Sequence, residues 1–351
     1  MRRIRRFAIG TGVLLLVAAL AGAAYETMAR RRAVRDFPPP GRMVDVGGRR
    51  IQLDCRGAGS PTVVLEAGLD VYGSLSWEPV HDELAGTTRT CAYSRAGMMW
   101  SDPAPGAFDS RRAARDLHTA LRRAGERPPW VLAGHSLGGP YVMTFTAEYS
   151  QETAGLVLVD ASHPDQVARM RAATGIAPSR LYRARNAVIF AVGPALVRLG
   201  LGRLAPTPAP DTWAPAMEGA HAAFYPTSTV ARMKEGRAMD ATLATAGRFR
   251  RLGDRPLVVL TATGVRAGVS DAQRAREEAA WNRLQADQAA WSSRGRQQGV
   301  DAPHYIHYAR PDVVVRAVRE VVADVRRPAS PDPEHDPAGE RPAAAEAEPI
   351  P

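Results

Sequence analysis

"PWVLAGHSLGGPYV", residues 129–142, is the stretch whose reading decides the fold. An apolar run ends at Gly134, and two more glycines, Gly138 and Gly139, follow before apolar residues resume. Neither a plain strand nor a plain helix favours glycines there. Gly134, His135, Ser136, Leu137 and Gly138 fit the pattern G-x-S-x-G, in which a strand turns sharply into a helix and strains the serine outward. The small residues keep that turn free of clashes, because its backbone runs too close to its neighbours for side chains. The pattern is common by chance. Its context, an apolar strand before and a helix after, is what the turn demands.

Working outward, short β-type runs precede the turn: "MVDVGG" (43–48), "RRIQLDC" (49–55), "PTVVLEAG" (61–68) and "TRTCAYSRAG" (88–97). The first two are separated by a Gly-Gly signal, as in a hairpin. "SRRAARDLHTALRRAGE" (110–126) has helical spacing, with Ala113, Leu117 and Leu121 on one face. Beyond the turn the pattern predicts a helix from Leu137 to about Tyr149 and a strand, "GLVLVDAS" (155–162). Such alternation argues for an α/β fold with a mainly parallel sheet covered on both faces. From Pro164 to Arg255 the chain becomes helical and Pro-broken, including the apolar "AVIFAVGPALVRLGLGRL" (187–204). Strand character resumes at "RPLVVLTA" (255–262), and a helix, "ARPDVVVRAVREVV" (309–322), closes the domain. The chain therefore reads as a domain over 43–326 with a helical cap at about 164–255, preceded by a Pro-rich linker at 37–42. Residues 327–351, rich in Pro, Ala and Glu, hold too little apolar surface to bury and are expected to be disordered.

In these segments and their order the chain resembles the α/β-hydrolase family, and most closely its membrane-anchored bacterial serine hydrolases. The shared segments are "VVLEAG", "AYSRAG", "GHSLGG", "LVLVDASHPD" and "HYIH". The resemblance implies an eight-stranded, mostly parallel sheet with a cap after the sixth strand, here "GLVLVDAS". It also implies a nucleophile, acid and histidine in that chain order. Ser136 is then the nucleophile. The base comes from "DAPHYIHYARPD" (301–312), where His304 holds the family's position and His307 is a packing residue. His135 and His163 are expected to line the site. The usual acid position, after the seventh strand, reads "VVLTATGVRAGVSDA" with Asp271 as its first carboxylate. Some members carry the acid after the sixth strand, which makes Asp160 the favoured acid and Asp271 the alternative. Oxyanion donors are expected from the backbone of Leu137 and of Leu69, which follows Ala67-Gly68 where the family has His-Gly. Asp70 and Tyr72 would have to support that altered loop. The family's sheet order also sets Cys55 beside Cys91, which an exported protein could oxidise to a disulfide.

The implied activity is hydrolysis of carboxylic esters through an acyl-enzyme, with an apolar ester as substrate and no metal or cofactor required. A serine at the turn argues against the family's epoxide hydrolases and dehalogenases, which use aspartate there. The absent late acid and the altered oxyanion loop leave open a non-catalytic binding module at the cell envelope. A thioesterase or a peroxidase-like member also stays open.

The formal charge of +10 is uneven: residues 1–35 hold eight arginines against Glu26, and the tail is acidic. No zinc-finger, RNA-binding or Walker-type pattern accompanies it, so nucleic acid is not an expected partner. In residues 1–36, Arg2, Arg3, Arg5 and Arg6 precede an apolar run from Phe7 to about Tyr25, and Arg30–Arg32 follow. That length suits a bilayer span. The favoured reading is an uncleaved anchor with the domain outside the cytoplasm; a cleaved signal peptide is the alternative.

Overall fold

The computed structural model describes residues 2–176, 179–264 and 270–327. A long helix α1 (Arg2–Asp36) leads into β1 (Arg42–Asp45), β2 (Arg50–Arg56), β3 (Thr62–Glu66), α2 (Glu78–Ala85), β4 (Thr90–Ser94) and α3 (Ser110–Arg123). The elbow joins β5 (Trp130–His135) to α4 (Gly138–Glu148), and β6 (Thr153–Val159) follows. The cap comprises α5 (Gln166–Thr174), α6 (Arg180–Arg198), α7 (Pro215–Arg237) and α8 (Met239–Ala246). The chain then returns through β7 (Leu257–Ala262), α9 (Asp271–Ala289), β8 (Gly295–Val300), α10 (Ile306–Ala309) and α11 (Pro311–Arg326).

The eight strands lie in the order β1-β2-β4-β3-β5-β6-β7-β8. Only the β1–β2 and β2–β4 pairs are antiparallel, as a hairpin followed by strand–helix alternation requires. Successive side chains of β5 point to opposite faces. Trp130 and Leu132 join Leu117, Leu121 and Phe145 beneath α3 and α4, while Val131 and Ala133 join Trp77, Val314 and Val318 beneath α2 and α11. In α3 the buried face is Ala114, Leu117 and Leu121 together with Ala120. Ala113, expected on that face, is only half-buried. The edge strand β8, "GRQQGV", is polar and only partly buried, so its sequence carries no alternation that would announce a strand.

Cys55 and Cys91 are direct register partners on β2 and β4, and their sulfurs are bonded. Their Cα atoms are 4.0 Å apart, closer than the roughly 4.4–6.8 Å usual for a disulfide, because the two face each other on one ladder. Helix α1 is long and apolar enough to cross a membrane. Its C-terminal half packs on the cap: Glu26 is buried and paired with Arg203 at 2.7 Å, and Ala33 is buried among Trp213, Phe224 and Trp100. A Cβ on Gly22 would sit 2.3 Å from the carbonyl oxygen of Leu199, so only glycine permits that approach.

Candidate active site

The turn after β5 is as tight as its glycines suggest. Ser136 has φ 52°, a left-handed conformation that a serine adopts only when its surroundings hold it there. Two backbone bonds provide that hold, Ser136 N–H to Val159 at 3.1 Å and Ser162 N–H to the Ser136 carbonyl at 2.8 Å. A Cβ on Gly134 would lie 2.7 Å from the Gly138 carbonyl oxygen, and one on Gly138 would lie 2.5 Å from that of Glu66. Any larger residue at either position would push the elbow open.

Ser136 Oγ lies 2.9 Å from His304 Nε2, and His304 Nδ1 lies 2.6 Å from Asp160 Oδ2. Asp160 follows β6, next to the strand that feeds the elbow, and has φ 42°. Its other oxygen, Oδ1, accepts from Trp281 Nε1 at 2.7 Å and from Ala262 N–H at 3.0 Å. The carboxylate is buried, while the His304 side chain is 42% exposed, so a molecule from solvent can reach the imidazole and the serine beside it. Because Asp160 is an acceptor, Nδ1 carries the proton and Nε2 is free to accept from Ser136.

Asp271 is not part of this arrangement. It begins α9, its side chain is 96% exposed, and it pairs with Arg274. After β7 the chain still hugs β8, with Thr263 N–H on the Val300 carbonyl and Gly264 N–H on that of Ala302.

The other histidines back the site. His135 Nε2–H donates to the carbonyl oxygen of His304 at 3.1 Å, and its ring lies between those of His304 and His307. Burial, reinforced by His307 and His304, holds the His135 imidazole well below its ordinary pKa, so it stays neutral. His307 is buried, stacks on Trp77 and is pushed down to about 3, mainly by burial. His163, expected to line the site, is instead bonded to Asp287 of α9 at 3.2 Å, and its Nδ1 accepts from Asp165 N–H. That pairing draws it toward α9.

The loop after β3 meets the elbow directly: a Cβ on Gly68 would lie 3.0 Å from Ser136 Cβ. Leu69 and Leu137 therefore flank the serine, and neither backbone N–H donates to another backbone group among the described residues. Asp70, expected to support this loop, accepts from Tyr72 N–H at 2.9 Å and Ser76 Oγ at 2.8 Å. Burial pushes its carboxyl up to about 6.

The principal support came from a residue that sequence reasoning passed over. The buried Arg95 guanidinium donates to the carbonyl oxygens of Ala67 and Gly68, both at 2.7 Å. It also pairs with Glu66 at 2.6 Å and with Glu235 of the cap helix α7 at 2.8 Å. Burial pushes Glu66 up to about 7 against the pull of Arg95, and Tyr93 Oη donates to the same carboxyl. A lone arginine inside the apolar run "TCAYSRAGMMW" was the available signal, because a buried cation requires a partner.

A family model described as the alpha/beta hydrolase fold matches residues 61–202. An uncharacterised protein of Schizosaccharomyces pombe is 32% identical over 140 residues, covering 32% of this chain and 26% of its own. The chain thus spans between about a quarter and a half of the length of the first curated relatives it matches. Among solved structures, a thermophilic esterase from Thermogutta terrifontis is similar at 20% identity and TM-score 0.54, over 82% of this chain and 100% of that one. The epoxide hydrolase CorEH is similar at 19% identity and TM-score 0.55, over 81% and 99%.

Proposed function

The chain has the α/β-hydrolase fold, and from that premise we propose that it is a serine hydrolase acting on carboxylic esters through an acyl-enzyme. The observation that carries the proposal is the continuous hydrogen-bonded line from Ser136 Oγ through His304 to Asp160. A hydroxyl becomes a useful nucleophile when a base takes its proton, and the base works when a third group fixes its tautomer. A binding module has no need of a serine held 2.9 Å from an oriented imidazole.

In this reading Ser136 Oγ attacks the acyl carbon and its proton passes to His304 Nε2. The imidazolium is stabilised by Asp160, and the oxyanion accepts from the N–H groups of Leu137 and Leu69. The C–O bond then breaks, and the departing alkoxide takes the proton from Nε2. Water repeats the sequence on the acyl-enzyme, giving its proton to His304, and Ser136 regains it as the acid leaves. His135 serves this cycle by holding the His304 backbone while remaining uncharged beside the imidazolium. Helix α1 is read as a membrane anchor, with the domain on the extracytoplasmic side.

The test is labelling of the full chain, solubilised in detergent, with a fluorophosphonate probe. Labelling that disappears in Ser136→Ala supports the proposal. A folded, unlabelled wild type refutes it. The full chain is needed because removing α1 would strip Glu26 from Arg203 and uncover Trp213.

A further inference from the structure

Helix α6 presents an apolar stripe to solvent. Leu181, Val188, Val192 and Leu196 recur at 7, 4 and 4 residues, which keeps them on one face, and all four are exposed. Ile189 widens the stripe, and Leu201 and Leu204, the latter 81% exposed, extend it past the helix end. The opposite side of α6 is occupied, since Gly193 packs on Met233 of α7 and Val197 is buried. A soluble protein would not normally leave such a stripe uncovered.

Two further observations say what covers it. Residues 166–210 contain seven arginines and neither Asp nor Glu; Arg203 is paired with Glu26 and Arg169 with Asp165 and Asp287, which leaves Arg171, Arg180, Arg183, Arg185 and Arg198 as the basic residues around the stripe. It is also joined to the anchor, because Gly22 of α1 lies against Leu199 and Gly200, at the end of α6. The nineteen residues Phe7–Tyr25 rise about 28 Å, close to the ~30 Å of a bilayer core. Gly22 is therefore less than one turn from the end of the spanning stretch, and whatever touches Gly22 stands at the edge of the hydrocarbon.

We propose that α6 and the turn through Leu204 lie in the interfacial region of an anionic bilayer, with the apolar stripe facing the acyl chains and the arginines engaging lipid phosphates. Amphipathic helices with basic flanks bind membranes in this way. The inference rests on the anchor reading above and deepens it. A cap seated on the bilayer places the Ser136 site within reach of esters carried in the membrane and makes lipid-borne esters its substrate class.

The test uses the full chain in vesicles of phosphatidylcholine and phosphatidylglycerol that carry nitroxide lipids, labelled high on the acyl chain to read Val188 and Arg127 and near its end to read Leu15. Single variants Val188→Cys, Leu15→Cys and Arg127→Cys each receive an environment-sensitive fluorophore under non-reducing conditions. Arg127 is exposed and precedes β5, at the opposite end of the strand from Ser136. Quenching of about twofold or more at Val188 with none at Arg127 supports the proposal, as does its weakening when phosphatidylglycerol is omitted or when Arg180, Arg183 and Arg185 are changed to Gln. Quenching at Leu15 but not at Val188 overturns the cap contact and leaves the anchor standing. An unquenched Leu15 overturns the anchor, and Val188 then decides the cap contact alone. A Val188 probe shielded from aqueous iodide yet untouched by nitroxide lipids points to a second copy of the chain and overturns the proposal.

Discussion

Asp160→Asn probes the proposed mechanism where the hydrogen-bond geometry is least forgiving. Asp160 Oδ1 accepts from two fixed donors, Trp281 Nε1 and Ala262 N–H, so an asparagine must keep its carbonyl oxygen there. Its amide nitrogen then takes the place of Oδ2, 2.6 Å from His304 Nδ1, and points a donor at it. Nδ1 must become an acceptor, which moves the imidazole proton to Nε2, opposite Ser136 Oγ. An Nε2 that already holds a proton cannot accept one from the serine. The expected loss in fluorophosphonate labelling rate is about 10³–10⁴-fold, equivalent to roughly 4–5.5 kcal/mol of transition-state stabilisation. The volume is unchanged and every other donor keeps an acceptor, so the thermal midpoint should move little. The assay is the second-order labelling rate at pH 7 on full-length protein, with circular dichroism melting in parallel. A folded variant labelling within tenfold of wild type would refute the assignment of Asp160 as the orienting acid.

Arg95→Met should lower unfolding free energy by about 3–5 kcal/mol, since it leaves Glu66 and Glu235 buried without their cation; denaturant titration measures this. Reducing Cys55–Cys91 frees a separation of 36 residues and should cost about 3–4 kcal/mol, read as a lower denaturation midpoint with dithiothreitol. His307 supplies a pH test. Its folded value of about 3 lies below the unfolded 6.5, so below pH 6.5 the unfolded state binds a proton that the folded state refuses. Its contribution to stability is therefore complete above pH 6.5 and shrinks as pH falls toward 3. Between pH 7 and pH 5 the wild type should lose about 2 kcal/mol more than His307→Leu, as denaturant titrations at the two pH values will register.

The parts of this protein that were legible in its sequence are those in which a local pattern and a spatial requirement coincide. The elbow is such a case, because the glycines that allow the turn lie within five residues of the serine it presents. The candidate acid was legible for a related reason: a carboxylate at the end of the strand beside the elbow needs no long excursion to approach the same histidine. Strand β8 was not, because a half-buried edge strand of polar residues and glycines has little apolar face to impose alternation. Trp281 was also hidden. It lies on α9, whose sequence has no apolar stripe, and its bond to Asp160 spans 121 residues.

Arg95 and Glu235 lie 140 residues apart, on β4's exit and on the cap, and no periodicity links them. Yet their bond determines what the loop after β3 rests on. The guanidinium that bonds the Ala67 and Gly68 carbonyls has one of its two carboxylate partners on α7, so the loop and the cap share one buried cation. A cap displacement that withdrew Glu235 would leave Arg95 with Glu66 alone and expose the site of Glu235 to refilling by water. The position of the cap and the support of Leu69 are thus set by the same hydrogen bonds. In the proposed mechanism, a cap held against a surface would thereby hold the second oxyanion donor in place.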